Sequence, residues 1–327
     1  MRIPYNDLKE TFKRILLKNG FNAHKAALCA GIFADNSLDG VYSHGVNRFP
    51  VFIKYAKEGL IKADAEPQLL QQYGVMEKWD GQLGPGMYNA TLAMNRAASI
   101  AKDNGIGCVA LKNTNHWMRG GTYGWQAADS GCIGICFSNT IANMPAWGGK
   151  EPRLGNNPLI IAVPREGGHI VLDMAMSQYS YGKLQENSLR NSELKVPGGY
   201  DESGELTTDP NAIMASKRAL PIGFWKGSGL SFVLDVLLTA VTGGRSTAAI
   251  TATGQESGLS QLFLCLHQSG YEQQLVDEII AYSKSGDQVK AGEPVLYPGE
   301  NTLATRWKNQ EQGIPVDERI WEIVTGL

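Results

Sequence analysis

"DNGIGCVALKN", residues 103–113, carries a match to the Gly-x-Gly-x-x-Gly/Ala pattern of dinucleotide-binding folds at Gly105, Gly107 and Ala110. That pattern works only after a strand and before a helix, because the pyrophosphate rests on the helix N-terminus. Here the order is reversed. "YNATLAMNRAASIAKDN" (88–104) has helical spacing, and "GCVALKN" (107–113) reads as a strand. The glycines are therefore expected to end a helix and turn it tightly into a strand. A phosphate-cradling P-loop fails as well: in "WGGKEP" (147–152), Glu151 stands where the motif needs a hydroxyl.

Working outward, the N-terminal sixty residues read as helices. "NDLKETFKRILLKNG" (6–20) places Leu8, Phe12, Ile15 and Leu16 on one face, with Asn6 as expected N-cap and Gly20 as stop. "HKAALCAGIFADNSLDG" (24–40) is a second helix. In "VNRFPVFIKYAKEG" (46–59), Pro50 is tolerated only in a first turn, so a third helix starts near Asn47. Ser43, His44 and Gly45 then fall in the joint between helices. Beyond 113, "TYGWQAADSG" (122–131) reads as a helix and "CIGICFSN" (132–139) as a strand. "PLIIAVP" (158–164) and "HIVLDMA" (169–175) form a hairpin across "PREGG". A helix near 178–190, a Gly/Asp/Pro-rich loop (197–211) and the apolar helix "KGSGLSFVLDVLLTAVTGG" (226–244) follow. "LSQLFLCLH" (259–267) is a strand, and "GYEQQLVDEIIAYSKSG" (270–286) and "VDERIWEIV" (316–324) are closing helices. The sum is an α/β fold with helical ends. The expected division is a helical, substrate-binding part over 1–120 plus 291–327, and a nucleotide-binding part over 121–290.

Composition narrows the function. Among 327 residues, 43% are hydrophobic and 19% charged, with a formal net charge of −2. No basic stripe suits nucleic acid, and no apolar run approaches the roughly 20 residues a bilayer needs. "MRIPYNDLKETFKR" has no apolar core of a signal peptide. Five scattered cysteines are not a disulfide framework, so reduced thiols and a cytoplasmic location are expected.

Of the five histidines, His44 and His116 stand out. Each lies in a stretch dense in polar and aromatic groups, "YSHGVNR" and "NTNHWMRGGTYG", and each is followed by an arginine, Arg48 or Arg119. A histidine can hand a proton to a carbonyl oxygen. An arginine can grip a carboxylate with two parallel hydrogen bonds. Together they describe a site for a 2-keto or 2-hydroxy acid; hydrogen-bonded loop histidines are the alternative. No His-x-x-x-His or His-x-x-Glu-His spacing supports zinc, and no Gly-x-Ser-x-Gly elbow makes Ser43 or Ser228 a nucleophile. "WKGSG" (225–229) opens an apolar helix, where Lys226 and exposed backbone N–H groups suit a phosphate or form an ordinary helix start.

Six segments, "GVYSHGVNRF", "NHWMRGGTYGWQAA", "GICFSNTIANMPAWGGKEPRLGNNPL", "VLDMAMS", "WKGSGLS" and "YPGE", occur in this order. Over nearly its whole length the chain resembles the malate/L-lactate dehydrogenase type-2 family of NAD(P)-dependent oxidoreductases. The resemblance implies a non-Rossmann nucleotide-binding domain and a homodimer with its cofactor near the subunit interface. It implies NAD as cofactor, NADH in preference to NADPH, and no metal. His44 becomes the proton donor, with Ser43, Arg48, His116 and Asn156 about the substrate. Cofactor contacts fall on His169, Ile170, Val171, Leu172, Asp173, Met174 and Ala175, on Trp225 and Lys226, and on Gly299, Glu300 and Asn301. The implied substrate is a small keto sugar acid, 2,3-diketo-L-gulonate, reduced to 3-dehydro-L-gulonate. Malate, lactate, ureidoglycolate or a cyclic imino acid stands as the alternative, and a non-enzymatic sugar-acid binder is a different class of reading.

Overall fold

The computed structural model describes residues 1–267, 272–290 and 292–327. The chain begins with β1 (Arg2–Ile3), α1 (Tyr5–Lys18) and α2 (Ala23–Leu38). Two single helical turns, Tyr42–His44 and Val46–Arg48, lead into α3 (Phe49–Lys57). Then come β2 (Gln68–Tyr73), β3 (Met76–Asp80), α4 (Gly86–Asn104), β4 (Ile106–Thr114), α5 (Gly121–Asp129) and β5 (Ile133–Ser138). Short β6 (Met144–Pro145) and β7 (Pro152–Leu154) precede the hairpin β8 (Leu159–Val163) and β9 (Ile170–Met174). After α6 (Tyr181–Leu189), β10 (Gly199–Tyr200), β11 (Leu206–Thr207) and α7 (Pro210–Ser216) stand α8 (Trp225–Thr242), α9 (Thr247–Ala252) and β12 (Leu259–Leu266). The chain closes with α10 (Gln273–Lys284), α11 (Glu300–Gln312), β13 (Ile314–Pro315) and α12 (Glu318–Thr325).

One seven-stranded sheet, in the order β2-β3-β4-β12-β5-β8-β9, organises the molecule. Only β3 and β4 pair in parallel; the other neighbours are antiparallel. A Rossmann sheet is all but parallel, so this is an α/β fold of another kind. Helices α4 and α5 bury an alanine-rich face (Ala90, Ala97, Ala101, Ala127) against Val109, Cys136, Ile160 and Phe263. On the other face, Leu234 and Leu238 of α8 meet Phe137 and Leu262. A separate core joins Phe12, Phe33, Phe49 and Phe52 of the first three helices to Ile314, Val316 and Val324 from the C-terminus.

Several expectations change. The helix α1 starts at Tyr5 behind Pro4, so Asn6 lies inside the first turn and caps nothing. The hairpin β2–β3 and the helix α11 are additional elements. The sheet does not respect a division at residue 120: β2, β3 and β4 precede it and β5, β8, β9 and β12 follow it. The expected boundary at 290/291 touches residue 291, and the expected helix over 270–286 begins on Gly270 and Tyr271; these three positions lie outside the described residues.

The opening motif reads as a packing device. Gly105 ends α4 in a left-handed conformation (φ 83°), which an L side chain adopts at a cost. At Gly107, a Cβ would stand 2.2 Å from the Ala97 carbonyl oxygen, because α4 lies directly on the start of β4. Gly107→Ala must push the helix off the sheet. It should lower stability by about 1–3 kcal/mol in urea unfolding without changing NADH binding, which would fall with it if these glycines cradled a phosphate.

Candidate functional site

A cleft of about 1180 Å³ opens between the helical layer and the edge of the sheet. That volume lies above the usual range for one small molecule, and leaves room for a dinucleotide beside a small acid. One wall is the joint after α2. Gly45 is required there: a Cβ would come within 2.9 Å of the Ser37 backbone nitrogen. The Ser37 hydroxyl accepts the Val46 N–H at 2.9 Å, and Asn36 donates to the His44 carbonyl at 2.9 Å. Buried polar groups of α2 thus set the joint and aim Ser43, His44 and Arg48 into the cleft.

His44 and His116 lie with ring centroids 5.7 Å apart and planes 17° from parallel. Their protonation chemistry differs. Met118, in a left-handed conformation (φ 67°), donates its N–H to Nδ1 of His116 at 3.0 Å. His116 therefore carries its proton on Nε2 and cannot become doubly protonated without losing that bond. Nδ1 of His44 instead faces the Ser43 hydroxyl at 3.1 Å. A hydroxyl can donate to a neutral ring or accept from a charged one, so His44 is free to gain and release a proton. Withdrawal from water pushes both rings down to about 3. For His44, His116, Arg48 and Arg119 push the same way and Asp173 opposes them; for His116, Arg48 adds to the effect. Both rings are neutral at neutral pH.

Arg48 contacts Glu256 through a single nitrogen at 3.4 Å. The rest of its fork remains for a ligand. Asn156 also lines the cleft. Its Oδ1 accepts from the Thr140 hydroxyl at 3.1 Å and from Asn143 Nδ2 at 2.9 Å. That fixes the amide and leaves its nitrogen as a donor. Arg119 departs from its sequence reading as an anion clamp. It is buried, hydrogen-bonded to Asp39, and 3.4 Å from Asp173, so its charge is already matched.

The opposite wall is β9, the last strand of the sheet. The Val171 N–H turns away from β8 to the Pro298 carbonyl at 2.9 Å, so by alternation the backbone of Asp173 also faces outward. Val171, Leu172, Asp173 and Ala175 line the cleft, as does Gly299. At Gly299 (φ 100°) a Cβ would stand 3.0 Å from the His169 carbonyl. An exposed strand edge beside a glycine is the kind of surface against which a flat, polar cofactor can lie. His169, Ile170, Met174, Glu300 and Asn301 are outside the lining. His169 is engaged by Asp129 and the Arg165 N–H, and Glu300 by Lys284 and the Tyr297 N–H. Trp225 and Lys226 stand exposed at the start of α8, away from the cleft of their own chain. Among the described residues no metal-binding cluster occurs. Asp39 and Glu256 are site residues that the sequence did not disclose.

The family model described as malate/L-lactate dehydrogenase matches residues 3–325. The 2,3-diketo-L-gulonate reductases of Citrobacter koseri and Klebsiella pneumoniae are 43% and 44% identical, each over 100% of both chains. Among solved structures, malate dehydrogenase from Entamoeba histolytica matches with a TM-score of 0.94 at 23% identity, over 100% of this chain and 96% of that one. Sulfolactate dehydrogenase from Methanocaldococcus jannaschii matches at 0.89 and 28% identity, over 100% and 98%.

The two neutral imidazoles bear on stability. Unfolded, each would titrate near 6.5, and folded near 3. Between those values the unfolded chain binds more protons, so stability rises with pH across the window and falls on acidification. Urea unfolding at pH 7 and pH 5 should show this loss, and His44→Asn with His116→Asn should shrink it. An unchanged pH dependence in the double variant would show that the rings are not held neutral.

Proposed function

The chain belongs to the malate/L-lactate dehydrogenase family, and from that premise we propose that it reduces 2,3-diketo-L-gulonate to 3-dehydro-L-gulonate with NADH. It is a nicotinamide-dependent oxidoreductase. The observation that carries the substrate reading is the meeting of Ser43, His44, Arg48, His116 and Asn156 on one cleft. Every one of them can present a donor to a carboxylate or carbonyl oxygen, and only His44 can also exchange its proton. Full-length relatives at 43% and 44% identity carry the same activity in their names.

Arg48 takes the substrate carboxylate on its free nitrogens. Burial is the main reason that His44 is neutral; the anion offsets the lesser push of Arg48 and Arg119 and so favours a proton on the ring. Ser43 then switches from donor to acceptor and keeps the ring in place. Asn156 Nδ2 and His116 Nε2–H hold the carbonyl oxygens. A nicotinamide held in this cleft would supply the hydride that reduces C2. His44 gives its proton to the C2 oxygen and returns to the neutral form that the protein favours. The edge of β9 and Gly299 would hold the cofactor, with Asp173 as its polar contact. NADH is the preferred form because, with Arg48 given to the substrate, the other arginines lining the cleft are paired: Arg119 with Asp39 and Asp173, Arg190 with Glu186. A 2′-phosphate would have to compete for them. The five free cysteines suit a cytoplasmic location.

A homodimer belongs to the same proposal. Along the outer face of α8, Trp225, Phe232, Val233, Val236 and Leu237 are 44–63% exposed, and Phe224 and Trp147 extend the patch at 46% and 51%. Helical spacing gathers them on one stripe, an apolar surface that a monomer rarely leaves uncovered. A second copy seated there would cover it. In such a dimer the Trp225–Lys226 end of α8, which stands off its own cleft, would lie at the interface.

His44→Ala should lower kcat for 2,3-diketo-L-gulonate by about 10²- to 10⁴-fold while NADH fluorescence titration stays near the wild-type Kd. Undiminished turnover would remove His44 as the acid. Val233→Glu with Val236→Glu should convert a dimer to a monomer in sedimentation equilibrium. A wild-type monomer, or a variant that stays dimeric, would displace the interface from α8.

A further inference from the structure

We propose that Glu256, on the loop between α9 and β12, reads the hydroxyl groups of the substrate tail and so sets the preference for polyhydroxylated keto acids over plain ones. The inference rests on the reductase reading above and deepens it. Among the described residues four carboxylates line the cleft: Asp173, Glu186, Glu256 and Asp317. Three are occupied. Asp173 holds Arg119 and the Gly121 N–H, Glu186 holds Lys183 and Arg190, and Asp317 accepts the Arg319 and Ile320 N–H groups that begin α12. Glu256 has one long contact, 3.4 Å to Arg48, through Oε2. Among the described residues its Oε1 has no partner, although the side chain is only 14% exposed.

The polar groups that face the reacting end are mainly donors: Arg48, the Nε2–H of His116, the amide nitrogen of Asn156 and protonated His44. Carboxylate and carbonyl oxygens satisfy donors and need nothing else. A hydroxyl is different, since it must also give its own hydrogen to an acceptor. Glu256 is a charged acceptor beside the residue that fixes the substrate carboxylate, so it stands within one short chain's reach of that anchor. A plain keto acid would seal Glu256 off from water with no hydrogen to accept. An unmet buried carboxylate is costly, which turns absence of hydroxyls into discrimination. The loop is built to hold it there. The Ser257 hydroxyl donates to Asn115 Oδ1 at 2.9 Å, and Gly258 (φ 73°) leaves space for Arg245, which a Cβ would approach to 2.7 Å.

The test compares kcat/KM for 2,3-diketo-L-gulonate and for 2,3-dioxohexanoate, the same chain without its hydroxyls. Wild type should prefer the hydroxylated acid by at least about 10-fold. Glu256→Ala should erase about 10- to 100-fold of that ratio, with Glu256→Gln, which keeps a weaker acceptor of the same size, in between. A wild type without the preference overturns the proposal and needs no variant. Equal losses for both acids also overturn it, because a residue that merely steadies Arg48 would act on any carboxylate. Reduction of neither acid by wild type would instead overturn the proposed function itself.

Discussion

The site hangs on one buried cation. Arg119 is 5% exposed and lies between Asp39, at the end of α2, and Asp173, on the edge strand β9. Asp39 in turn accepts from Nε of Arg306 on α11 at 2.6 Å. A single network therefore links the helix that ends in the His44 joint, the wall opposite it, and α11 behind them. Such charges gain little net stability over an apolar core of the same shape, but removal of one partner strands the other and costs about 3–5 kcal/mol. Their value here is geometric. The two cleft walls come from different layers of the molecule, and van der Waals packing alone would let them slide. Paired, directional charges give the walls one register.

The same network explains an economy of charge in the cleft. Arg119 and Asp173 cancel, as do Arg48 and Glu256, and both histidines are neutral. The cleft is thus polar with these charges matched. In the proposed reaction an arriving carboxylate would meet a fork that is half free, and its charge would favour a proton on His44. Acid and substrate would then be delivered together. A histidine that was permanently charged would bind anions more tightly, yet it would hold its proton when the reaction requires release.

Much of the fold was legible because burial and periodicity agree. Helices α1 to α4 and strands β4, β5, β8, β9 and β12 carry residues that pack on a core, so their spacing betrays them. The elements that escaped lack this signal. In β2, "QLLQQY", every residue is exposed, and the strand exists because β3 offers it an edge. In α11, only Asn309 is buried. The helix is held by Glu300, which bonds Lys284 and the Tyr297 N–H, and by Arg306, whose partners Asp39 and Asp35 are far away in sequence. The sheet spans residue 120 for a related reason. Loop composition marks where the chain is solvated, while the sheet is assembled from strands on both sides of the helix α5.

The site divides along the same line. Ser43, His44, Arg48 and His116 were visible because chemistry-bearing types crowd into short stretches, and Gly45 marks the tight approach that positions them. Glu256 and Asp39 were not visible, since each is an acidic residue in an unremarkable polar segment. What makes them matter is a partner 208 residues away in one case and 80 in the other. Sequence proximity displays the groups that act on a ligand. The groups that orient those actors, or balance their charge, are recruited through the fold, and only assembled walls reveal them. Trp225 and Lys226 mark the other limit: a crowded motif at a helix start is conspicuous in sequence, yet the fold leaves both residues exposed and outside the cleft.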